Sequence, residues 1–299
     1  MDFQKFTNPS SLDLTSPVTY LTKTYLQSQQ HPNLHIFKND HFLVPFSIKD
    51  AVARSIEKSP FGSFLKLSEL RTNLLSAFEK EVTNALQKQK VDQLYIKHPP
   101  SIYSDFVDST ELTKVGYHLQ YNDINQHIVL SDNWEDQIHD TQKRKIKSLE
   151  RDGFEFHKIP ISDLELAHQF LTICRQVQGL EINVSFEKLQ QLTSQLPGSY
   201  EIFSVQRAGK LSAVCITMNV TGSIAYYYLA GTSPLFRSHS PMVLLIAGMV
   251  NHYRHQGYKF FDLGVSSFEG HPQETLRLFK GRMGAQETHK PTFYKSLRQ

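Results

Sequence analysis

The sequence predicts an α+β protein of two units, each with a mixed, mostly antiparallel β-sheet flanked by helices. Three observations support this fold class. Residues 200–231 contain three apolar or aromatic segments separated by short hairpin turns, which predicts an antiparallel meander. A helical segment at 241–256 and a strand at 259–265 follow, which predicts a crossover back into the sheet. In the first half, residues 67–82 place apolar side chains at helical spacing between strand-like segments.

The first unit is predicted to cover residues 1–131. Its apolar patterns and turn residues indicate, in chain order, a hairpin at 34–48, a helix at 67–82, a strand at 94–96, a helix at 101–115, and strands at 117–121 and 126–130 around a turn at 122–125. A chain of 299 residues is long enough for two domains of ordinary size, so we expect the second unit to cover residues 132–299.

The second unit is predicted to begin with a basic helix that ends at Gly153. The remaining elements are, in order, a strand at 154–159, helices at 164–177 and 186–196, the meander, the crossover helix, the strand at 259–265, a helix at 272–281 and a strand at 292–297. We expect Ser240 to cap the crossover helix and Pro241 to be its first residue, since both residue types favour these positions.

Composition excludes several classes of protein. The charge of +3, from 32 basic and 29 acidic residues, is too balanced to indicate nucleic-acid binding by bulk electrostatics. The two cysteines form no disulfide framework or CxxC motif, and the longest apolar run, 242–250, is less than half a membrane span. We therefore expect a cytoplasmic protein without a transmembrane segment. His252 and His255 lack a third ligand at a recognisable spacing, so no metal site is predicted.

Three stretches of the second half add a family resemblance. They are the basic helix at 143–153, the run GYKFFDLG at 257–264 and the run LFKGRMG at 278–284. Together with the order of elements they resemble the GNAT superfamily, and more specifically its FemABX-like branch, whose members carry two GNAT-type units in tandem. In the first half only residues 59–62 are similar to this family, so the first unit is expected to be a degenerate GNAT-like unit. The resemblance implies transfer of an acyl group from acyl-CoA or aminoacyl-tRNA to an amine.

The resemblance places the donor beside the end of the meander, with Gly231, Arg237, Ser240 and Met242 as binding residues. Acetyl-CoA-dependent GNAT proteins have Arg/Gln-x-x-Gly-x-Gly here, so that the backbone wraps the pyrophosphate. This chain keeps the arginine but has serine and methionine at the glycine positions, and Pro241 removes one amide. A standard CoA pyrophosphate loop is therefore not expected, and no bound cofactor is required. Acyl-CoA and aminoacyl-tRNA stay open as donor substrates.

Four residues are candidates for the chemistry. Tyr226 and Tyr228 share one face of their strand, where a hydroxyl can donate a proton to the leaving group or orient the acyl carbonyl; aromatic packing is the alternative. Asp262 can take a proton from the acceptor amine or cap the next loop. Lys280 aligns with a family lysine that contacts phosphate at the reaction centre, whereas its pattern alone suits an exposed lysine.

Four basic residues are candidates for binding substrate phosphate. Lys143, Arg144 and Lys147 lie on one helical face, which can meet a polyanion such as a nucleotide-sugar diphosphate or tRNA. Arg282 is also a candidate for binding substrate phosphate, on weaker grounds than Lys280. A solvated charged face is the alternative interpretation for the helix.

The sequence thus predicts a FemABX-like N-acyltransferase that moves an acyl or aminoacyl group to an amine. A bacterial cell-envelope precursor is a candidate acceptor, and tRNA is a candidate partner. Two alternatives stay open: an acyl-CoA-dependent small-molecule N-acyltransferase and a non-catalytic GNAT-fold binding protein. The sequence does not name the donor, the acceptor or the oligomeric state.

Overall fold

The computed structural model of the chain describes residues 16–28, 33–56, 59–68 and 74–298. Backbone contacts divide the chain into two compact units. The first comprises Met1–Asn125, Ser267–Pro272 and Thr288–Gln299, and the second comprises Gln126–Ser266 and Gln273–Glu287. The sequence-based boundary between residues 131 and 132 stays a prediction. Among the described residues, every helix is too short or too polar to span a lipid bilayer.

The elements of the chain follow in order. They are α1 (Lys23–Ser28), β1 (Leu34–Lys38), β2 (Phe42–Lys49), β3 (Val52–Ser55), β4 (Leu65–Lys66), α2 (Leu74–Lys88), β5 (Gln93–Lys97), α3 (Ser109–Lys114), β6 (His118–Val129), α4 (Trp134–Gln137), α5 (Asp140–Arg151), β7 (Phe154–Ile159), α6 (Leu164–Gln176), α7 (Phe186–Gln195), β8 (Tyr200–Arg207), β9 (Lys210–Thr221), β10 (Ile224–Thr232), α8 (Met242–His255), β11 (Phe260–Val265), β12 (Ser267–Phe268), β13 (His271–Pro272), α9 (Glu274–Arg282) and β14 (Gln286–Ser296).

The first unit is built on a mixed sheet with the strand order β1-β2-β3-β5-β14. Strands β3 and β5 are parallel, and the other pairs are antiparallel. Helix α2 buries its apolar face against this sheet, where the ring of Phe78 stacks on that of Phe42. The buried Glu79 of α2 accepts a hydrogen bond from Lys295 of β14 at 2.8 Å, and Lys295 also donates to the carbonyl of Val115.

The second unit contains the predicted meander. Strands β7, β8, β9 and β10 pair antiparallel in that order, and β11 joins β10 in parallel. The predicted α+β class with mixed, mostly antiparallel sheets is confirmed. Helix α8 supplies much of the core of this unit because Val243, Leu245, Met249 and Val250 are all buried.

Gly248 of α8 lies directly against the ring of Phe156 from β7. A Cβ atom at Gly248 would be 2.3 Å from the Cγ and Cδ2 atoms of that ring. Phe156 in turn stacks on Phe203 of β8, with ring centroids 5.7 Å apart. The glycine therefore lets α8 approach the sheet more closely than any other residue would allow.

Two predictions for the first half are wrong. The helix predicted at 101–115 begins only after Asp108, whose carboxylate accepts the backbone N–H of Thr110 as an N-cap. The turn predicted at 122–125 is instead part of the single strand β6. Asn and Asp favour turns locally, but strand pairing overrides that preference here. The start of the helix predicted at 67–82 falls partly outside the described residues, and α2 begins at Leu74.

Candidate functional site

Strands β10 and β11 pair over a short stretch and then separate. Their parallel register joins three pairs of residues: Ile224 with Phe260, Ala225 with Phe261, and Tyr226 with Asp262. Strand β10 continues to Thr232, and its other edge stays paired with β9 as far as Ala213. In this fully described part of the second unit, one backbone edge of β10 after Tyr226 is thus not paired with β11. Such an edge can accept an extended ligand.

A β-bulge lies where the two strands separate. The register between β9 and β10 shifts between Tyr227 and Leu229, so Tyr228 is the additional residue on β10. A bulge changes the direction of the backbone groups and side chains beside it. The site therefore combines an unpaired strand edge with a local change in strand direction.

A cavity of about 560 Å³ opens beside this part of β10. Its lining residues are Gln178, Ala230, Gly231, Thr232, Arg237, Ser240, Met242 and Phe279. The structure thus brings together all four residues predicted on the donor side: Gly231, Arg237, Ser240 and Met242. Gln178, Ala230, Thr232 and Phe279 were not predicted. Ala230, Thr232 and Phe279 had a usable signal, because each is adjacent in sequence to a predicted site residue, whereas Gln178 had none.

Gly231 also has a structural reason to be glycine. A Cβ atom at this position would be 2.9 Å from the Cβ atom of Cys174 and 3.1 Å from Cδ2 of Leu171. Both neighbours belong to α6, which packs against β10. Glycine at this position therefore sets how closely α6 can approach the strand that lines the cavity.

Ser240 does not cap α8 as predicted. It adopts the left-handed conformation, with φ 56° and ψ 51°, and its carbonyl accepts the backbone N–H of Val243 at 3.1 Å. Pro241 is the N-cap residue, and no side chain caps the helix. Glycine adopts a left-handed conformation easily, whereas an L-residue pays about 1–2 kcal/mol for it. The chain therefore keeps a backbone shape suited to glycine at a residue, Ser240, that lines the cavity.

Substitution at Ser240 should reveal this conformation. We expect Ser240→Gly to stay within about 1 kcal/mol of the wild-type free energy of unfolding. We expect Ser240→Val to lose about 2 kcal/mol, since a β-branched side chain is strained at positive φ. Urea unfolding of both variants measures this difference. Equal stability of the valine and glycine variants would contradict the left-handed assignment.

Met242 and the middle tyrosine of β10 contact each other. The hydroxyl of Tyr227 donates to Sδ of Met242 at 2.9 Å. The side chain of Met242 thus lies between the cavity and the core of the second unit. Met242 stands at the second glycine position of the standard loop, where glycine would leave the backbone accessible.

A buried polar cluster fills the end of β11. Asp262 is 1% exposed, and its Oδ1 accepts the backbone N–H of Gly264 at 2.8 Å. Lys280 of α9 is also buried, and its Nζ donates to the carbonyls of Gly264 at 2.9 Å and Val265 at 2.8 Å. Burial lowers the pKa of Lys280 to about 8, against the opposing effect of Asp262. The alternative of an exposed lysine on α9 is therefore wrong.

The two candidate tyrosines lie beside the separating strands. A Cβ atom on Gly264 would be 3.3 Å from the hydroxyl of Tyr226, so this hydroxyl lies close to the end of β11. The ring of Tyr228 meets that of Tyr200 edge-on, with centroids 5.9 Å apart. Burial raises the pKa of Tyr228 to about 12, so at neutral pH its hydroxyl stays protonated and can donate a hydrogen bond. Neither tyrosine is among the residues that line the cavity.

The structure does not bring the predicted phosphate-binding residues to the cavity. Lys143, Arg144 and Lys147 lie on α5, where Arg144 and Lys147 are exposed and Lys143 is half-buried. Nε of Arg144 donates to the carbonyl of Asp140 at 3.3 Å. Arg282 is exposed at the end of α9. None of the four lines the cavity. Throughout the described residues, no group of three His, Cys, Asp or Glu side chains could hold a metal ion.

Comparison with known proteins gives one sequence match and several structural ones. Residues 139–271 match the family model described as an acetyltransferase (GNAT) domain. No curated protein sequence matches the chain. The structure is similar to the crystal structure of FemX, with a TM-score of 0.69 and 11% identity over 99% of this chain and 97% of that chain.

Two further solved structures show the same fold. One is the C-terminal domain (DUF2156) of a protein from Agrobacterium fabrum assigned as a lysylphosphatidylglycerol synthetase, with a TM-score of 0.64 and 12% identity over 90% of this chain and 86% of that chain. The other is a tandem GNAT protein from the clavulanic acid biosynthesis pathway, with a TM-score of 0.53 and 12% identity over 93% and 88% of the two chains. At these identities the similarity concerns the fold.

Proposed function

We propose that this chain is a FemABX-like acyltransferase of the GNAT superfamily, and that it transfers an acyl or aminoacyl group to an amine without a standard CoA pyrophosphate loop. The observation that carries the proposal is the cavity at the end of β10, which combines an open strand edge with the exposed Arg237. Ser240 and Met242 line this cavity at the two positions that are glycine in the standard loop.

The donor would lie along the open edge of β10. Backbone N–H and C=O groups on an unpaired edge bind extended chains that carry amides or esters, as an added strand does. Arg237 would bind a phosphate of the donor through charge-assisted hydrogen bonds. The name of the lysylphosphatidylglycerol synthetase indicates an aminoacylated product, which favours an aminoacyl donor for this fold.

The reaction would be direct attack of the acceptor amine on the carbonyl carbon of the ester or thioester. The new C–N bond forms as the C–O or C–S bond breaks, and the amine loses a proton while the leaving group gains one. Asp262 would take the proton from the amine, and the hydroxyl of Tyr226 or Tyr228 would donate to the leaving oxygen or sulfur. Positioning supplies much of the rate in such a mechanism, and no covalent enzyme intermediate is required.

Four basic side chains that do not line the cavity would bind the charged parts of the substrates: Lys143, Arg144, Lys147 and Arg282. A polyanionic substrate such as tRNA or a nucleotide-diphosphate acceptor would contact the basic face of α5. The acceptor would be an amine on a bacterial cell-envelope precursor, and the reaction would occur in the cytoplasm.

An acyl-CoA-dependent small-molecule N-acyltransferase is the second candidate. The observation that favours it is that Arg237 is retained and lies in the same cavity as Gly231. This candidate requires binding of CoA or acyl-CoA. A titration that shows no CoA binding would count against it and leave the aminoacyl donor.

Replacement of Arg237 tests the donor site directly. We expect Arg237→Met to weaken binding of a phosphate-bearing donor by about 10- to 100-fold, since a hydrogen bond to a charged group contributes about 1.5–3 kcal/mol. The measurement is transfer to amine acceptors from a panel of aminoacyl-tRNAs and acyl-CoAs, followed by the donor KM of both proteins. The control is Arg298→Met, which removes an exposed arginine of the first unit. Absence of transfer from every donor would instead favour a non-catalytic binding protein.

A further inference from the structure

The end of β11 differs from a regular strand in the way its backbone is hydrogen-bonded. In an extended strand, consecutive carbonyl groups point to opposite sides. Here the carbonyls of Gly264 and Val265 both accept hydrogen bonds from one atom, Nζ of Lys280. The two carbonyls therefore point toward a common position, and the strand must bend between them.

Gly264 makes this bend possible. Its φ is +73°, in the left-handed region that glycine adopts without strain. Its N–H group is held by Asp262, two residues earlier on the same strand. Side chains thus satisfy both backbone polar groups of Gly264, and the ladder with β10 ends at the pair of Tyr226 with Asp262.

The position of Lys280 indicates that this arrangement is specific. The residue is only 4% exposed, and burial of an ammonium group is costly unless it is well hydrogen-bonded. The ammonium group also comes from a different element, α9, because Lys280 lies 16 residues after Gly264 and 15 after Val265. The reduced pKa of the group, close to 8, agrees with this burial.

We infer that Lys280 is a positioning residue that holds the end of β11 bent away from β10 and so keeps the edge of β10 open for the substrate. The role is separate from any direct contact of Lys280 with a phosphate. It rests on the proposed use of the β10 edge as the donor site. Without the ammonium group, the carbonyls of Gly264 and Val265 lose their common donor, and the bend loses its restraint.

Hydrogen exchange of the full chain, followed by mass spectrometry, tests the inference without any substrate. The variants are Lys280→Met, which keeps an unbranched chain but removes the donors, and Lys280→Arg, which keeps a charged donor. Lys210→Met, at the exposed first residue of β9, is the matched control. We expect the backbone amides of residues 262–268 to exchange at least tenfold faster in Lys280→Met than in the wild type. In Lys280→Arg and Lys210→Met, the same amides should exchange near the wild-type rate.

If residues 262–268 of Lys280→Met exchange their amide hydrogens at the wild-type rate, the inference is wrong. If Lys280→Met also exchanges faster throughout β8 and β9, the whole unit has been destabilised, and Lys280→Gln then decides. Gln keeps a polar group in the site, but its side chain is one atom shorter and cannot donate to both carbonyls as Nζ does. A tenfold increase confined to residues 262–268 therefore supports the inference. A wild-type rate there in Lys280→Gln contradicts it.

Salt dependence separates positioning from direct phosphate binding. With a donor identified by the transfer assay, we expect Lys280→Met to raise the donor KM by the same factor at 50 mM and 500 mM NaCl. A direct contact between an accessible ammonium and a phosphate would weaken with salt, so the factor would shrink. A shrinking factor together with unchanged exchange would assign Lys280 to phosphate binding alone. If no donor is found, the proposed acyl transfer fails, but the exchange result still tests the positioning role of Lys280. The two proposals can therefore fail separately.

Discussion

Replacing Gly248 by alanine is expected to lower the free energy of unfolding by about 3 kcal/mol, near the upper end for overpacking. The added methyl group would sit 2.3 Å from Cγ and Cδ2 of Phe156. Cγ is the ring atom bonded to Cβ, so it stays in place when the ring rotates about the Cβ–Cγ bond, and that rotation does not relieve the clash. Either β7 or α8 must move, and both pack in the core of the second unit. Urea unfolding followed by circular dichroism measures the loss.

Two variants make the Gly248 result specific. Gly222→Ala is the control, because a Cβ there has no neighbour within 4 Å and the backbone is not left-handed, so only a small change is expected. Phe156→Ala combined with Gly248→Ala should lose less stability than the sum of the single changes, by about 1–3 kcal/mol. Additive losses would show that the ring is not the source of the strain.

Removing the ammonium group of Lys295 is expected to have a comparable effect on the first unit. Lys295→Met leaves Glu79 buried with Thr83 as a remaining hydrogen-bond donor at 2.7 Å. Breaking one side of a buried pair costs about 3–5 kcal/mol. Because Lys295 keeps some exposure, we expect a loss of about 3 kcal/mol, measured by the same unfolding experiment.

The double variant Glu79→Leu with Lys295→Met tests the cause. It removes both charges, and we expect it to recover most of the stability lost in Lys295→Met. Lys114→Met breaks the exposed pair with Glu111 and should leave the unfolding midpoint within experimental error. If the double variant is as unstable as Lys295→Met, the apolar packing of Lys295 matters more than its charge.

The parts of the fold that depend on local patterns were predictable from the sequence. The meander was predicted because residues 207–210 and 221–223 have hairpin-turn chemistry between apolar segments, and β8, β9 and β10 confirm it. The resemblance grouped Gly231, Arg237, Ser240 and Met242, and these four residues line one cavity. Their role in binding a donor stays a prediction. The order of elements around the meander, together with three short sequence runs, was the basis of the resemblance to the GNAT superfamily, and residues 139–271 match a GNAT domain model.

The features that depend on pairing or burial were not predictable. The bulge at Tyr228 is a property of the register between two strands, which the sequence of one strand does not contain. The pattern of α9 suggests an exposed Lys280, and only tertiary packing buries it. Ser240 is a favoured N-cap residue, yet the chain entering α8 from the preceding 3₁₀ turn, Pro234–His239, requires a left-handed residue there.

The contact between Gly248 and Phe156 sets how closely α8 lies to β7. Gly248 is six residues after Met242, which corresponds to about 9 Å along a stiff helical rod. A lateral displacement of α8 at Gly248 would therefore also move the end of the helix that borders the cavity. A change in the size of one aromatic ring on β7 would then alter the shape of the cavity, with no change to any residue that lines it.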